Sequence, residues 1–185
     1  MRATQAQATP VHGVLESLEM GLLPMAQFNG KAGAMYRNPK DQELRQDFVT
    51  SMTWDGKPVV MPELNLALEP LKFMEFSLEH PVQACVFSNL GACTVNLPAP
   101  ERYAVHKLIV FGERPVRERA KATKDLLQAA SLADYFLENG QAELFNAAWR
   151  DACGRGKGWW ERVQQGQAAL LRLAPELAVD GLWQT

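Results

Sequence analysis

A group of cationic side chains in the second half of the sequence has the spacing of an anion-binding helix face. Arg117, Lys121 and Lys124 recur at i, i+4 and i+7, which places them on one side of a helix. Lys107 lies on the preceding predicted helix and could point to the same place. Cations carried by rigid helices need little reorganisation when an anion docks, so this group could hold a polyphosphate. The alternative interpretation is an ordinary solvated helix face, interleaved with acidic residues.

Three further polar residues lie beside these cations. Asp125 and Gln128 neighbour the basic side of the helix and could orient the amines. His106 is adjacent to Lys107 and could serve as an acid or a base, but the sequence offers it no evident carboxylate partner. A packed or solvent-exposed histidine is therefore the favoured interpretation of His106.

Two consecutive helices must position these side chains. Pro100 suits a first helical turn, Gly112 is predicted to close the first helix, and Pro115 blocks its continuation. The first helix is therefore predicted over Pro100–Phe111 and the second over about Arg117–Leu137. The second helix shows an apolar stripe that consists of Ala122, Leu126, Ala129, Ala130, Ala133 and Leu137.

A carboxylate in the middle of a predicted strand, Asp47, is the other candidate for chemistry. The strand is predicted over Leu44–Thr53, and Asp is disfavoured inside strands, so Asp47 needs a partner or a purpose. The simpler interpretation is a surface carboxylate that pairs with Arg45 or Lys57.

The stretch from Pro98 to Gln128 resembles the C-terminal half of a bacterial family with a nucleotidyltransferase fold, within the DNA polymerase beta superfamily. The shared features are P-x-P-E-R-Y-A-V-H-K-L-I-V, the arginine after it, and A-K-A-x-K-D-L-x-Q-A. The resemblance covers roughly Val14 to Leu177. It implies transfer of a nucleoside monophosphate from a Mg²⁺-bound nucleoside triphosphate (NTP) to an acceptor that the sequence does not identify.

The resemblance also implies roles for individual residues. In the family, the segment that matches Gln46–Thr50 carries the third carboxylate of a magnesium site, which makes Asp47 the candidate catalytic and metal-binding residue. The phosphates of the NTP would be held by Lys107, Lys121 and Lys124. Asp125 would orient one of these lysines.

Two other elements of such an active site are not found in the sequence. Nucleotidyl transfer of this kind uses two metal ions about 4 Å apart, held by an Asp-x-Asp pair together with the third Asp. A Gly-Ser turn normally precedes the pair. Upstream of Asp47, the triplet Asp41-Gln42-Glu43 falls in a predicted turn, while Glu16 and Glu19 have helical spacing. The sequence therefore predicts a chain that lacks the family's N-terminal catalytic strands and is inactive alone.

The order of predicted elements, strands first and helices afterwards, indicates an α+β fold: a small mixed or antiparallel sheet followed by a C-terminal helical bundle. We predict an unstructured arm over residues 1–10, a truncated nucleotidyltransferase-like sheet region over 11–98 and a helical region over 99–185. The sheet is expected to have four or five strands. Beyond Leu44–Thr53, the predicted strands are Phe28–Arg37, Val59–Met61, Val82–Ser88 and Ala92–Leu97, and the later helices are Ala142–Asp151 and Trp159–Leu173.

The glycines and the tryptophans in and around the region between the last two helices each have two possible interpretations. Gly154–Trp160 lacks the spacing of a phosphate-binding P-loop, so a flexible connector is favoured. Trp149, Trp159 and Trp160 are interpreted as anchors of the bundle rather than as a surface on which a base stacks.

Composition limits the class of protein. The chain has 185 residues, 47% of them hydrophobic, a net charge of −2 and a pI near 5.9, which argues against broad nucleic-acid binding. Its three cysteines form no C-x-x-C pair, and Cys85 and Cys93 are expected to be small core residues. No apolar run approaches the roughly 20 residues that cross a bilayer. We therefore expect a cytoplasmic protein.

Two alternatives to an enzyme remain open. One is a non-catalytic module that retains nucleotide or phosphate binding. The other is a structural module that binds a partner subunit through its uncovered sheet edge. Because an uncovered edge strand and apolar face are unfavourable in a monomer, both alternatives predict a homo-oligomer.

Overall fold

The structure is a computed structural model that describes residues 10–26, 32–41 and 43–184. The chain forms two compact units, Met1–Lys72 and Phe73–Thr185. The first unit contains two small sheets. The second contains a β-hairpin and all the long helices, so the expected α+β fold class is confirmed.

The first unit begins with a short helix and continues almost entirely as strands. Its elements are α1 (Val11–Ser17), β1 (Leu23–Ala26), β2 (Ala32–Arg37), β3 (Arg45–Asp47), β4 (Val49–Ser51), β5 (Val59–Met61) and β6 (Leu66–Leu71). The first sheet is antiparallel with the order β1-β2-β3, and the second has the order β4-β6-β5 with β4 parallel to β6. Leu22, Tyr36 and Leu66 form the buried centre of this unit.

The turn between β2 and β3 follows from its side chains. The Asn38 carboxamide oxygen accepts a hydrogen bond from the amide of Lys40 at 2.8 Å, and the Asp41 carboxylate accepts one from the amide of Glu43 at 3.0 Å. Such local acceptors stabilise turns, so the sequence correctly places a reversal here. The preceding strand was predicted from Phe28, and residues 27–31 lie outside the described part of the chain.

The predicted strand Leu44–Thr53 is wrong as a single element, because it breaks at Phe48. The amide of Phe48 donates to the carbonyl of Ala34 at 2.7 Å, and its carbonyl accepts from the amide of Glu69 at 3.0 Å. Phe48 therefore belongs to the ladders of both sheets, and its ring packs edge-on against Tyr36. We expected one sheet of four or five strands. The described residues instead form eight short strands in three separate sheets.

The second unit begins with a short helix and a hairpin, and four longer helices follow. Its elements are α2 (Met74–Leu78), β7 (Val82–Ser88), β8 (Gly91–Leu97), α3 (Pro100–Glu113), α4 (Arg119–Glu138), α5 (Ala142–Gly154) and α6 (Lys157–Leu173). These bounds agree closely with the predicted hairpin and helices. Among the described residues, no helix is both long enough and apolar enough to cross a membrane.

Helix α3 lies at the centre of the second unit and packs closely on α6 at two glycines. A methyl group added to Gly166 would lie 2.7 Å from Cα of Leu108, and one added to Gly112 would lie 2.7 Å from Cα of Arg162. Gly112 was expected to close α3. It lies inside the helix instead, where the absence of a side chain lets α6 approach.

Several expected core residues lie at the surface. Cys85 and Cys93 are exposed on the hairpin, since β7 and β8 form a two-stranded sheet of their own. Trp149 is a buried anchor with 2% exposure, as predicted, whereas Trp160 is 49% exposed. The expectation that Trp160 anchors the bundle is therefore wrong.

Candidate functional site

The predicted basic group lies at the junction of α3 and α4. The end of α3 lies near the start of α4. Tyr103, near the start of α3, lines a groove together with Leu132, which lies well along α4. These two contacts show that the helices run in opposite directions. A short segment with one 3₁₀ turn, Val116–Glu118, connects them. This arrangement brings Lys107 of α3 next to the first turns of α4.

Asp125 is the buried centre of this junction and is only 3% exposed. Its two carboxylate oxygens accept from different cations: Oδ1 from Nζ of Lys107 at 3.3 Å and Oδ2 from Nε of Arg114 at 2.6 Å. Arg114 also pairs with Glu118, with Nη1 and Oε2 3.2 Å apart. The cluster therefore contains two cations and two carboxylates, and it fixes the Lys107 amine between Asp125 and the Tyr103 ring.

The predicted site residues are only partly brought together. Lys107 is 18% exposed and contacts Asp125, and Lys124 is exposed and lines the groove beside this pair. The side chain of Lys121 lies outside the described part of the structure. Arg117 is exposed. Sequence reasoning gave no role to Arg114, although this arginine is the one that follows the shared motif and is the closer partner of Asp125.

A groove lies between α3 and α4, beside the Lys107–Asp125 pair. It has a volume of about 360 Å³ and is lined by Tyr103, Lys124, Leu127, Gln128, Ser131 and Leu132. The ammonium of Lys107 lies 4.7 Å from the centroid of the Tyr103 ring. Gln128 lines the groove, but its Oε1 atom is enclosed by the protein and has no hydrogen-bond partner.

His106 is buried, with 7% exposure, and its Nε2 atom has no hydrogen-bond partner. Burial, with a smaller contribution from the charge of Lys107, lowers the pKa of His106 to about 4, while Asp125 opposes the shift. The imidazole is therefore neutral near pH 7. This agrees with the interpretation of a packed histidine.

Asp47 lies on β3 opposite Met35 of β2. Its Oδ2 pairs with Nε of Arg45 at 3.2 Å, and its Oδ1 is enclosed without a hydrogen-bond partner. An unpartnered carboxylate oxygen suits a cation. However, Asp47 belongs to no group of three or more His, Cys, Asp or Glu side chains within the described residues. These residues alone therefore do not fit a two-metal site, and the metal-binding role of Asp47 stays a prediction.

A second charge cluster, which sequence reasoning missed, holds α2, α3 and α5 together. The guanidinium of Arg102, 7% exposed, contacts Glu79 (Nη2–Oε2, 2.6 Å) and Asp151 (Nη1–Oδ2, 2.8 Å), and its Nε donates to the carbonyl of Phe76 at 2.9 Å. Arg155 pairs with the same two carboxylates. The available signal was Arg102 itself, an arginine four residues before His106 on the buried face of α3.

These contacts shift the pKa values of both carboxyl groups downwards. A hydrogen bond from Arg155 is the main cause of the lowered pKa of Glu79. Burial raises the pKa of Asp151, but hydrogen bonds from Arg155 and Arg102 outweigh it and the net shift is downward. Because Arg155 lies between α5 and α6, the predicted flexible connector contains a residue fixed by ion pairs.

Residues 1–154 match the profile of a family described as nucleotidyltransferase, which is most of the chain. The chain belongs to this nucleotidyltransferase family. No curated protein matches the sequence. A structural search finds the crystal structure of an antigenic nucleotidyltransferase-like protein from Paracoccidioides brasiliensis, with 15% identity and a TM-score of 0.42. That alignment covers 92% of this chain and 65% of the fungal protein, so the chain spans less than two thirds of its length.

Proposed function

We propose that this member of the nucleotidyltransferase family binds an NTP at the junction of α3 and α4. The observation that carries the proposal is the Lys107–Asp125 pair, because it fixes an amine at the edge of a groove that Lys124 also lines. A fixed amine needs little reorganisation to contact a phosphate. Lys107, Lys121 and Lys124 would contact the phosphates, and Asp125 would hold Lys107 in position.

The reaction that we propose for the completed site is transfer of a nucleoside monophosphate from an NTP to an acceptor, with cleavage of the bond between the α- and β-phosphates and release of pyrophosphate. Magnesium is the expected metal. Asp47 would contribute one carboxylate through its unpartnered oxygen, and further acidic residues would have to come from outside the described residues. On its own, this chain is proposed to be inactive.

The alternative is a nucleotide- or phosphate-binding module without catalysis. The observation that favours it is the isolation of Asp47 from any group of three metal-ligating side chains in the described part of the chain. The two proposals differ in their dependence on metal. If the chain is part of an enzyme, NTP binding should depend on Mg²⁺ and on Asp47. If it is a non-catalytic module, NTP binding should depend only on the lysines.

Thermal unfolding with ATP, GTP, CTP and UTP, each with and without Mg²⁺, tests these proposals. At an NTP concentration ten times the Kd, binding should raise the Tm by about 3 to 6 °C. Lys124→Ala should abolish the shift, whereas Lys157→Ala is the matched control, because that lysine side chain is 89% exposed on α6. If no NTP shifts the Tm, or if both lysine variants behave alike, NTP binding at this junction is excluded.

The role of Asp47 is tested separately with Asp47→Ala in the same thermal-unfolding experiment. Loss of the Mg²⁺-dependent part of the Tm shift in the variant would support the metal-binding role of Asp47 and therefore the enzyme. A nucleotide-induced shift that ignores both Mg²⁺ and Asp47→Ala would support the non-catalytic module.

We also propose that the chain forms a homo-oligomer through the β7–β8 hairpin. Phe87 and Leu90 at its tip are 80% and 94% exposed, and neither strand pairs with any other strand in the described residues. Isolated two-stranded hairpins are marginally stable in water, so pairing with a second copy would stabilise this one. Sedimentation at several concentrations, with the double variant Phe87→Ser and Leu90→Ser, should show a dimer for the native chain and a monomer for the variant.

The proposed location is the cytoplasm. All three cysteines are free, and Cys85 and Cys93 are exposed to solvent. Exposed thiols that are not paired in disulfides are typical of a reducing compartment. Fractionation of cells that express the chain would test this location.

A further inference from the structure

Two carboxylates contact the guanidinium of Arg114, and they differ in how firmly the protein holds them. The Asp125 side chain is 5% exposed and accepts from both Lys107 and Arg114. The Glu118 side chain is 35% exposed, and its contact with Arg114, at 3.2 Å, is its one ion pair in the described part of the chain. Glu118 directly precedes α4 but makes no side-chain capping hydrogen bond there. A single ion pair of this exposure contributes little to stability, so the Glu118 carboxylate can leave Arg114 at small cost.

Arg114 has the chemistry and the position of a phosphate-binding residue beside Lys107. Its side chain is 26% exposed, against 18% for Lys107, and both contact the same Asp125 carboxylate. The two cations therefore lie close enough together for one triphosphate chain to contact both. A guanidinium presents its N–H donors in a planar fork, which suits phosphate oxygens. Asp125 accepts from Nε of this fork and Glu118 accepts from Nη1, so a phosphate oxygen can take the place of Glu118 while Asp125 stays bound.

The charges of the cluster also favour exchange of Glu118 for a phosphate. In the free chain, the positive charges of Lys107 and Arg114 are balanced by the negative charges of Asp125 and Glu118. A cluster without net charge attracts an anion weakly, and a carboxylate beside the incoming phosphate repels it. When Glu118 moves into solvent, the three side chains that remain carry one net positive charge. The contact between Glu118 and Arg114 therefore opposes phosphate binding.

From these contacts we propose that Arg114 is a further phosphate-binding residue and that Glu118 occupies its phosphate position until a ligand arrives. This inference rests on the proposed function and adds a regulating contact to the same site. The triphosphate displaces the Glu118 carboxylate and accepts from Nη1 of Arg114 and from the Lys107 amine. Asp125 remains in place and holds both cations.

Titration calorimetry on the full chain, with inorganic tripolyphosphate and with ATP, tests the displacement. Glu118→Gln should bind both ligands about twofold to fivefold more tightly than the native chain, because the competing carboxylate is gone. Arg114→Met should weaken the binding of both ligands about fivefold or more. Glu138→Gln is the matched control, because it removes an exposed carboxylate from the other end of α4 and should leave both Kd values unchanged.

A double variant separates the contact from a general effect of charge. In the Arg114→Met background, Glu118→Gln should give no further gain in affinity, because Glu118 acts through Arg114. A gain that persists in this background would show that Glu118 merely repels the anion at a distance, and the proposed displacement would be wrong. If Arg114→Met fails to fold, Arg114→Lys serves the same comparison, because lysine keeps the charge but lacks the fork that contacts both carboxylates.

The failures of the two proposals are distinguishable. If the native chain binds ATP and tripolyphosphate, and neither Glu118→Gln nor Arg114→Met changes the Kd values, the phosphate site stands and the role of Arg114 and Glu118 is wrong. If neither the native chain nor Glu118→Gln binds either ligand, both proposals are wrong.

Discussion

The Arg114 guanidinium donates to the Asp125 carboxylate across the connection between α3 and α4, with Nε and Oδ2 2.6 Å apart. Asp125 is almost fully buried, and its other oxygen accepts from Lys107. One carboxylate therefore joins the end of α3, its middle and the start of α4. This makes Asp125 a structural residue of the junction as well as the group that positions Lys107.

Asp125→Ala should destabilise the protein by about 2 kcal/mol, because Lys107 and Arg114 would lose a buried partner. For a chain of this size the Tm should fall by roughly 4 to 8 °C. The control is Asp134→Ala, which removes an exposed carboxylate from the same helix. If the two variants gave overlapping melting curves, a structural role for Asp125 would be contradicted.

Arg102→Met should destabilise the protein by about 2 to 4 kcal/mol, because Glu79 and Asp151 would each lose a close cation and the carbonyl of Phe76 would lose its donor. Arg150→Met removes the same side chain from an exposed pair with Glu143 and should change the stability by less than about 1 kcal/mol. Urea unfolding measures both. Equal effects would show that the buried cluster contributes no more than a surface ion pair.

The helices were predictable because their apolar residues recur with helical spacing and their ends carry local signals. Pro100 begins α3 as expected, and the hairpin β7–β8 follows from two apolar runs around Asn89-Leu90-Gly91. The contact between Lys107 and Asp125 also lay within reach of the sequence, because helical spacing places Asp125 beside the basic side of α4. Such signals depend on residues close together in the chain.

The missed features depend on residues far apart in the chain. Arg102 and Asp151 are separated by 49 positions, and no local pattern indicates that they meet. Gly112 looks like a helix terminator, and only the close approach of α6 explains its place inside α3. The break at Phe48 likewise depends on its hydrogen bonds to Ala34 and Glu69, which lie on two different strands.

Acid should destabilise the protein in two separate pH windows. The pKa of His106 is lowered from 6.5 to about 4 in the folded state, so the unfolded chain binds more protons between these values. The contribution of His106 to stability is therefore complete above pH 6.5 and is lost as the pH falls towards 4. Hydrogen bonds from Arg155 and Arg102 lower the pKa values of Glu79 and Asp151, so their contribution is lost only at lower pH.

Urea unfolding at pH 7, 5.5 and 4.5 measures the first window. The free energy of unfolding of the native chain should fall by about 1 kcal/mol per pH unit between pH 6 and pH 4.5 through His106 alone. His106→Gln should remove this slope. His80→Asn should keep it, since His80 is exposed and asparagine tolerates its positive φ of 52°. A slope that persists in His106→Gln would assign the acid sensitivity to other groups.

Gly166→Ala should separate helices α3 and α6, because the added methyl would lie 2.7 Å from Cα of Leu108 and the contacting atoms belong mainly to a helix backbone. Overpacking of this kind costs about 1 to 3 kcal/mol, which corresponds to a fall in Tm of roughly 2 to 12 °C. The matched control is Gly154→Ala at the end of α5, where an added methyl meets no atom within 4 Å. That variant should be neutral or slightly stabilising, because alanine restricts the unfolded chain more than glycine does. If Gly166→Ala melted at the same temperature as Gly154→Ala, α6 would not pack on α3 as closely as the structure shows.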